Sequence, residues 1–142
     1  MSSIRALSSI IIEAESKKTP EEQAAVLQDN DSNQLRSLLE YGFHPAVEWK
    51  VPAGSPPYRP LALQDAHNAE GNLYREIRKF DYFVNTDVGN KVKAVKREQL
   101  FIDMLESIEA ADALMVLRLK NKKLKIKKEA CKLAFGAFAK DW

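Results

Sequence analysis

Apolar residues recur three and four positions apart along most of this chain, a spacing that predicts a mainly α-helical protein. The first such segment covers residues 3–16, and Ser2 or Ser3 can cap it. Its apolar stripe is wide, because Ile10, Ile11 and Ile12 follow one another. This helix can pack into the core of the chain or dock on a partner, including a second copy of the chain.

Two short helices follow, each with a recognisable start. Thr19 can cap a helix that runs from Pro20 to about Gln28, because proline suits the first helical position and an acidic residue completes a capping box. Ser32 can cap the next helix, which Gly42 is expected to end. Two helices joined by a short turn can form a DNA-binding helix-turn-helix, although a simple helical hairpin is the commoner use of this pattern.

Residues 44–72 interrupt the helical spacing and contain five of the six prolines. Apolar and charged residues alternate over residues 47–51, which favours a short extended stretch. The sequence from Gly54 to Pro60 predicts a polyproline-type loop. This Pro-rich strap can either pack its aromatic side chains into the helical core or dock on a proline-recognition module. The candidate partner-binding residues are Trp49, Pro56, Pro57 and Tyr58.

Helical spacing resumes after the strap. The predicted elements are helices at 73–84, 91–106, 113–119 and 129–138, a turn at 86–90, a break at 107–112 and an extended stretch at 120–128. The aromatic tail, which contains Phe135, Phe138 and Trp142, is expected to dock on the helices. The whole pattern predicts a single compact helical domain over residues 1–142, with six or seven short helices and an extended strap.

Charge is distributed unevenly along the chain. Residues 1–72 carry a net charge of −4, and residues 73–142 carry +6. Eight cations and only one acid, Glu129, lie in residues 118–132, which we name the basic segment. This asymmetry predicts an acidic partner or a polyanion for the C-terminal part. A solvated face that serves only solubility has the same pattern.

The basic segment provides the main functional hypothesis. Lysines act on phosphates as point charges, so the expected partner is DNA or RNA bound without sequence selectivity, or a replication or transcription complex on it. The candidate nucleic-acid-binding residues are Arg118, Lys120, Lys122, Lys123, Lys125, Lys127 and Lys128. The alternative hypothesis is a protein-interaction or assembly factor without direct nucleic-acid contact, which acts on a host or phage protein or is a minor structural component. Its contact surfaces would be the acidic first half, the strap and the apolar tail.

Catalytic and metal-binding patterns are not evident in the sequence. His44, His67 and Cys131 are too few and too scattered for an ordinary zinc site, and the five glycines form no phosphate-binding loop. We therefore predict a protein that is not an enzyme and uses no cofactor, metal or small-molecule substrate. The chain has no apolar run near the roughly 20 residues of a membrane span and no signal-peptide pattern, so we expect a cytoplasmic protein without membrane contact.

Four pieces of the sequence carry a family resemblance. They are LQDNDSNQLRSLLEYGFHP, HPAVEWKVPAGSPPYRP, KREQLFIDMLESI and KKEACKLAFG. Over residues 20–138 they resemble a family of small uncharacterised proteins of T4-like tailed bacteriophages. The resemblance implies a phage origin, a helical fold and a location in the host-cell cytoplasm, and it brings no activity and no site residues. After the LE dipeptide, where members of the family usually carry a proline or an acidic residue, this chain has the sequence SIEA at residues 107–110, which implies a softer break there.

Overall fold

The N-terminal part of the structure is built from three helices. The computed structural model describes residues 5–62, 64–65 and 69–142. Helix α1 is Leu7–Glu15, α2 is Pro20–Asp29 and α3 is Asn33–Phe43. Thr19 Oγ1 accepts a hydrogen bond from the Glu22 N–H at 3.2 Å, and Ser32 Oγ accepts one from the Leu35 N–H at 3.0 Å. Both predicted caps are therefore confirmed.

The start of α1 differs from the prediction. Ser2 and Ser3 lie outside the described residues, and the helix begins at Leu7, after an extended Ala6 whose side chain makes no capping bond. The carboxylate of Asp112, a residue only 2% exposed, accepts a hydrogen bond from the Ser8 N–H at 3.0 Å. A negative charge at a helix N-terminus is favourable, so a distant residue of the C-terminal half caps α1.

After the strap, the described residues form five further α-helices and two 3-10 helices. They are α4 (Asn72–Glu76), a 3-10 helix (Ile77–Phe83), α5 (Asp87–Lys91), α6 (Ala94–Ser107), α7 (Ala110–Lys120), α8 (Lys128–Phe135) and a second 3-10 helix (Gly136–Ala139). The described chain contains no β-strand, only one isolated antiparallel bridge between Trp49 and Val84. The prediction of a mainly α-helical fold is confirmed. None of the described helices combines the length and the apolar character that crossing a bilayer requires.

Two glycines occupy positions that the sequence pattern did not predict. Gly42 lies inside α3 instead of ending it, and a Cβ there would come 2.8 Å from Leu119 Cγ, so the glycine lets α3 and α7 approach closely. Gly89 lies in α5, where a simple turn was predicted, and its N–H donates to the capping Thr86 Oγ1 at 3.0 Å. The prediction of a turn at residues 86–90 was therefore wrong.

Aromatic rings form the centre of the core and fix both the strap and the tail. Phe80, Phe83 and Phe101 are almost completely buried, and the rings of Phe83 and Phe101 lie 5.1 Å apart. The Trp49 ring of the strap lies 5.6 Å from Phe80. Trp142 is 5% exposed, so the predicted docking of the tail is confirmed. Burial of this many aromatic side chains is a large part of the hydrophobic stabilisation.

Arg97 connects α6 to the two elements that precede it. Its Nη2 donates to Gly89 O at 2.7 Å and to Val92 O at 2.8 Å, and its Nε donates to Tyr82 O at 3.3 Å. The residue is 9% exposed, and these three acceptors are backbone carbonyls. The guanidinium thus satisfies carbonyls at the end of α5 and in the first 3-10 helix, which fixes the position of α6 relative to both.

Candidate nucleic-acid interface

The basic segment begins in the last turns of α7, passes through an extended stretch at residues 123–127 and enters α8. Two side chains from the N-terminal helices hold the backbone of this extended stretch. Glu15 Oε2 accepts from the Lys125 N–H at 2.7 Å. Gln23 Oε1 accepts from the Lys127 N–H at 2.9 Å, and Gln23 Nε2 donates to Lys125 O at 3.3 Å. The backbone bonds that a neighbouring strand would supply are therefore supplied by side chains of α1 and α2.

Side chains of the extended stretch alternate between the core and the solvent. Ile126 is 4% exposed and Leu124 is partly buried against the core, while Lys123, Lys125 and Lys127 are exposed. Alternation of this kind is expected because successive side chains of an extended backbone point to opposite sides. Two further exposed lysines, at positions 128 and 132, lie one turn apart on α8. Five lysine side chains thus face solvent from a backbone that is held in place.

Arg118 and Lys122 of the basic segment make contacts within the molecule. Arg118 is half-buried and forms an ion pair with Glu15, the same carboxylate that binds the Lys125 N–H. Lys122 Nζ donates to Gly42 O at 2.8 Å, and a cation at the C-terminal end of α3 is favourable for the helix dipole. Burial lowers the pKa of Lys122. Both predicted nucleic-acid contacts therefore have structural roles.

Lys120 is the most buried of the predicted phosphate contacts, with 5% of the residue exposed. Its Nζ donates to Pro52 O at 2.9 Å and to Asn121 Oδ1 at 2.8 Å, and Asn121 Oδ1 also accepts from the Gly54 N–H at 3.2 Å. Burial lowers the pKa of this amine. Lys120 and Asn121 therefore attach the strap to the end of α7, and an amine in this position does not face a ligand.

Two of the exposed lysines, Lys127 and Lys128, are placed where the helix dipole does not favour them. Lys127 is the N-cap residue of α8 and Lys128 is its first residue, with Glu129 as the acid of the first turn. Cations at the N-terminus of a helix oppose the helix dipole, at a cost of about 0.3–1 kcal/mol each when exposed. The positive charge at this end of the segment therefore calls for an explanation other than stability.

The four candidate partner-binding residues of the strap have different environments. Trp49 Nε1 donates to Tyr41 O at 2.9 Å, and the ring packs among core aromatics, so this residue anchors the strap. Tyr58 is partly buried against the core, and burial raises its pKa. Pro56 and Pro57 line a shallow cleft of about 270 Å³ together with Phe101. The geometry of Trp49 favours the interpretation of this segment as a structural strap.

The residues considered for catalysis or metal binding are not brought together in the described part of the chain. His67 lies outside the described residues, and His44 Nδ1 accepts from the Ala46 N–H at 3.0 Å. Cys131 is fully buried, and burial raises the pKa of its thiol to about 12, far from the range of a reactive thiolate. Among the described residues, no cluster of three or more possible metal ligands occurs.

Sequence analysis did not identify Glu15 and Gln23, although they hold the candidate interface in place. The sequence spacing does place Gln23 on the inward face of α2, because it lies four residues before Leu27. A buried amide needs hydrogen-bond partners, so an inward-facing glutamine indicates that some other segment is bound there. The sequence does not show which segment that is, because the partner lies about a hundred positions away.

Comparison with known proteins places the chain in a family. A family model described as "Family of unknown function (DUF6433)" matches residues 10–126, which extend from α1 to the end of the extended stretch. No curated protein and no solved structure matches the chain. The chain belongs to the DUF6433 family.

Proposed function

We propose that this DUF6433 protein is a non-enzymatic accessory protein that binds nucleic acid, by itself or within a replication or transcription complex. The contact surface consists of five exposed lysines: Lys123, Lys125, Lys127, Lys128 and Lys132. One observation carries the proposal. Glu15 and Gln23 hold the backbone at Lys125 and Lys127, while the side chains of Lys123, Lys125 and Lys127 are exposed.

The spacing of the lysines supports contact with a phosphate backbone. Alternate residues of an extended chain lie about 6.7 Å apart, which is similar to the distance between successive phosphates of a nucleic-acid strand. Lys123, Lys125 and Lys127 can therefore follow the phosphates of one strand. Lysine ammonium groups contact phosphates as point charges without reading bases, so the binding is independent of sequence and weakens as salt rises.

Neutralising these three lysines is the direct test. The variant Lys123→Gln/Lys125→Gln/Lys127→Gln is expected to bind labelled DNA or RNA more than roughly tenfold more weakly at low salt, because three phosphate contacts are lost. The slope of log affinity against log salt should fall by about three, or about one for each lysine. A mobility-shift titration at several salt concentrations measures both quantities, with a DNA that has a duplex arm and a single-stranded arm.

A second lysine cluster of the same chain provides the matched control. Lys91, Lys93 and Lys96 are similarly spaced and lie outside the basic segment. Their replacement by glutamine changes the net charge by the same amount, so it should leave the affinity and the salt slope nearly unchanged. Equal losses in the two triple variants would show a general charge effect and would contradict a localised interface. Failure of the unmodified protein to bind at low salt would refute the proposal.

The phage origin and the location of the protein belong to the same proposal. The four sequence pieces that resemble small proteins of T4-like phages support a phage-encoded protein that acts in the host-cell cytoplasm. An antibody against the protein tests this in fractionated infected cells, where signal is expected in the cytoplasmic fraction. Signal confined to the envelope fraction would contradict the location.

A protein-interaction or assembly role is the second candidate, and one observation favours it. Leu133 on α8 is 53% exposed and Phe138, just beyond it, is 40% exposed, which places apolar surface beside the lysines. Exposed apolar side chains near charged residues are common at protein–protein interfaces. In this case the partner is a host or phage protein, and nucleic acid is not needed for its capture.

A nuclease-treated pull-down separates the two candidates. If the second is correct, a stoichiometric protein is retained after nuclease treatment, and Leu133→Ser reduces its recovery because the apolar contact is lost. Leu114→Ser is the matched control, since Leu114 is similarly exposed, at 60%, on the separate helix α7. Recovery of no stoichiometric protein, or equal losses in both variants, would count against this role.

A further inference from the structure

A cleft of about 370 Å³ is lined in part by Lys128, one of the five exposed lysines. One wall is formed by the end of α3 and the residues after it, including Phe43, His44 and Val47. The opposite wall is formed by the basic segment itself, through Leu124, Ile126 and Lys128. The same extended stretch thus presents lysines to solvent on one side and apolar side chains to the cleft on the other.

We propose that the nucleic acid bound here is single-stranded and that the cleft receives one of its unpaired bases. This inference rests on the proposed function, and it adds the class of ligand. Single-strand-binding proteins combine a positive track for phosphates with apolar or aromatic surfaces for bases. In this chain Lys128 belongs to the exposed lysines and also lines the cleft, so a strand that contacts this end of the lysine series reaches the mouth of the cleft.

The chemistry of the walls suits a nucleobase. The volume is in the range of small-ligand pockets, about 300–1,000 Å³, and the walls are mainly apolar and aromatic. His44 adds one polar group. Its Nδ1 accepts from the Ala46 N–H, so Nε2 is the ring nitrogen that remains to donate a hydrogen bond. Lys128 is exposed at the same site and can contact a phosphate next to the inserted base.

A duplex cannot use this cleft without losing base pairs. Its bases are stacked and paired, and moving one out of the helix has a substantial free-energy cost. A duplex therefore makes only the phosphate contacts, while a single strand makes the phosphate contacts and also inserts a base. Insertion of one base is expected to raise affinity roughly 5- to 100-fold, by comparison with the effect of stacking in known single-strand-binding proteins.

The test compares three probes of equal length at one salt concentration, with fluorescence anisotropy on the full-length protein. They are a thymine oligonucleotide, a duplex, and a single strand of abasic sites, which keeps the phosphates but has no bases. The thymine strand is expected to bind at least about fivefold more tightly than the other two. The abasic strand needs no protein variant, so this result does not depend on whether a variant folds.

A variant that fills the cleft gives the second readout. Val47→Trp places a large ring in the cleft, and it should lower thymine-strand affinity to the duplex value while leaving duplex binding unchanged. Val95→Trp is the control, because Val95 is 82% exposed on α6 and does not line the cleft. Equal affinity for all three probes would overturn this inference and leave the proposed function intact. Binding of none of the probes at low salt would overturn both.

Discussion

Replacement of Gly89 by alanine is expected to lower the free energy of unfolding by about 3 kcal/mol or more. Gly89 is buried in α5, and a Cβ there would overlap Val84 O and would lie 2.6 Å from Asp81 O. Both atoms belong to the backbone, so no side-chain rotation can relieve the overlap. Helix α5 would have to move away from the preceding 3-10 helix, and the bond from the Gly89 N–H to Thr86 Oγ1 would be lost.

A second glycine separates this steric effect from backbone strain. Gly54 has a φ of +85°, but a Cβ at this position would have no atom within 4 Å. Gly54→Ala is therefore expected to cost only the strain of a left-handed conformation, about 1–2 kcal/mol. Urea unfolding of both variants gives the comparison. Equal losses would contradict the explanation, because they would show that the space around Gly89 does not matter.

Replacement of Arg97 by methionine is expected to cost about 2–4 kcal/mol, since one buried and two partly buried carbonyls then lose a charged donor. Methionine keeps much of the apolar stem and removes the guanidinium, so the loss reports the hydrogen bonds to Tyr82 O, Gly89 O and Val92 O. Thermal and urea unfolding measure the effect. The stability of Arg97→Lys should lie between that of the unmodified protein and that of Arg97→Met, because a single ammonium keeps the charge but cannot reproduce the geometry of the guanidinium.

The neighbouring residue is the control for Arg97. Lys96 is exposed, so Lys96→Met removes a positive charge from the same helix without removing a buried hydrogen bond. Its expected effect is within about 0.5 kcal/mol. A small loss in Arg97→Met, similar to that of the control, would show that water satisfies the carbonyls and that Arg97 does not hold α6 in place.

Local signals predicted much of the helical structure. Thr19 and Ser32 cap their helices through their own side chains, and the bonds they make reach only three residues along the chain. The apolar side chains of Phe135, Phe138 and Trp142 also predicted the docked tail, because large apolar side chains favour burial. These features depend on neighbours in sequence, which is why the sequence was sufficient for them.

Features that depend on distant residues were not predictable in the same way. Helix α1 is capped by Asp112, and Gly42 continues α3 because Leu119 packs against it. A local pattern contains no information about either partner. The wrong prediction at residues 86–90 has a related cause. Thr86 can begin either a turn or a five-residue helix, and the two differ only in what packs on them.

The sequence predicted where the candidate interface lies, but not which of its cations are bound within the molecule. Sequence analysis treated the cations of the basic segment as equivalent. The structure separates them, because acceptors elsewhere in the chain bind Arg118, Lys120 and Lys122. Alternation with Leu124 and Ile126 was visible in the sequence and indicates which lysines face solvent. The carbonyl and carboxylate acceptors became evident only in three dimensions.

Glu15 and Gln23 bind backbone atoms of Lys125 and Lys127, so these anchoring bonds do not depend on which side chains occupy positions 123, 125 and 127. The side chains at these three positions can therefore be replaced while the bonds to Glu15 and Gln23 are kept. Substitutions there can alter the charge, and therefore the preferred partner, while the anchoring bonds remain. The same independence makes the stretch a practical grafting site, where short recognition sequences with alternating exposed residues can be displayed on an unchanged scaffold.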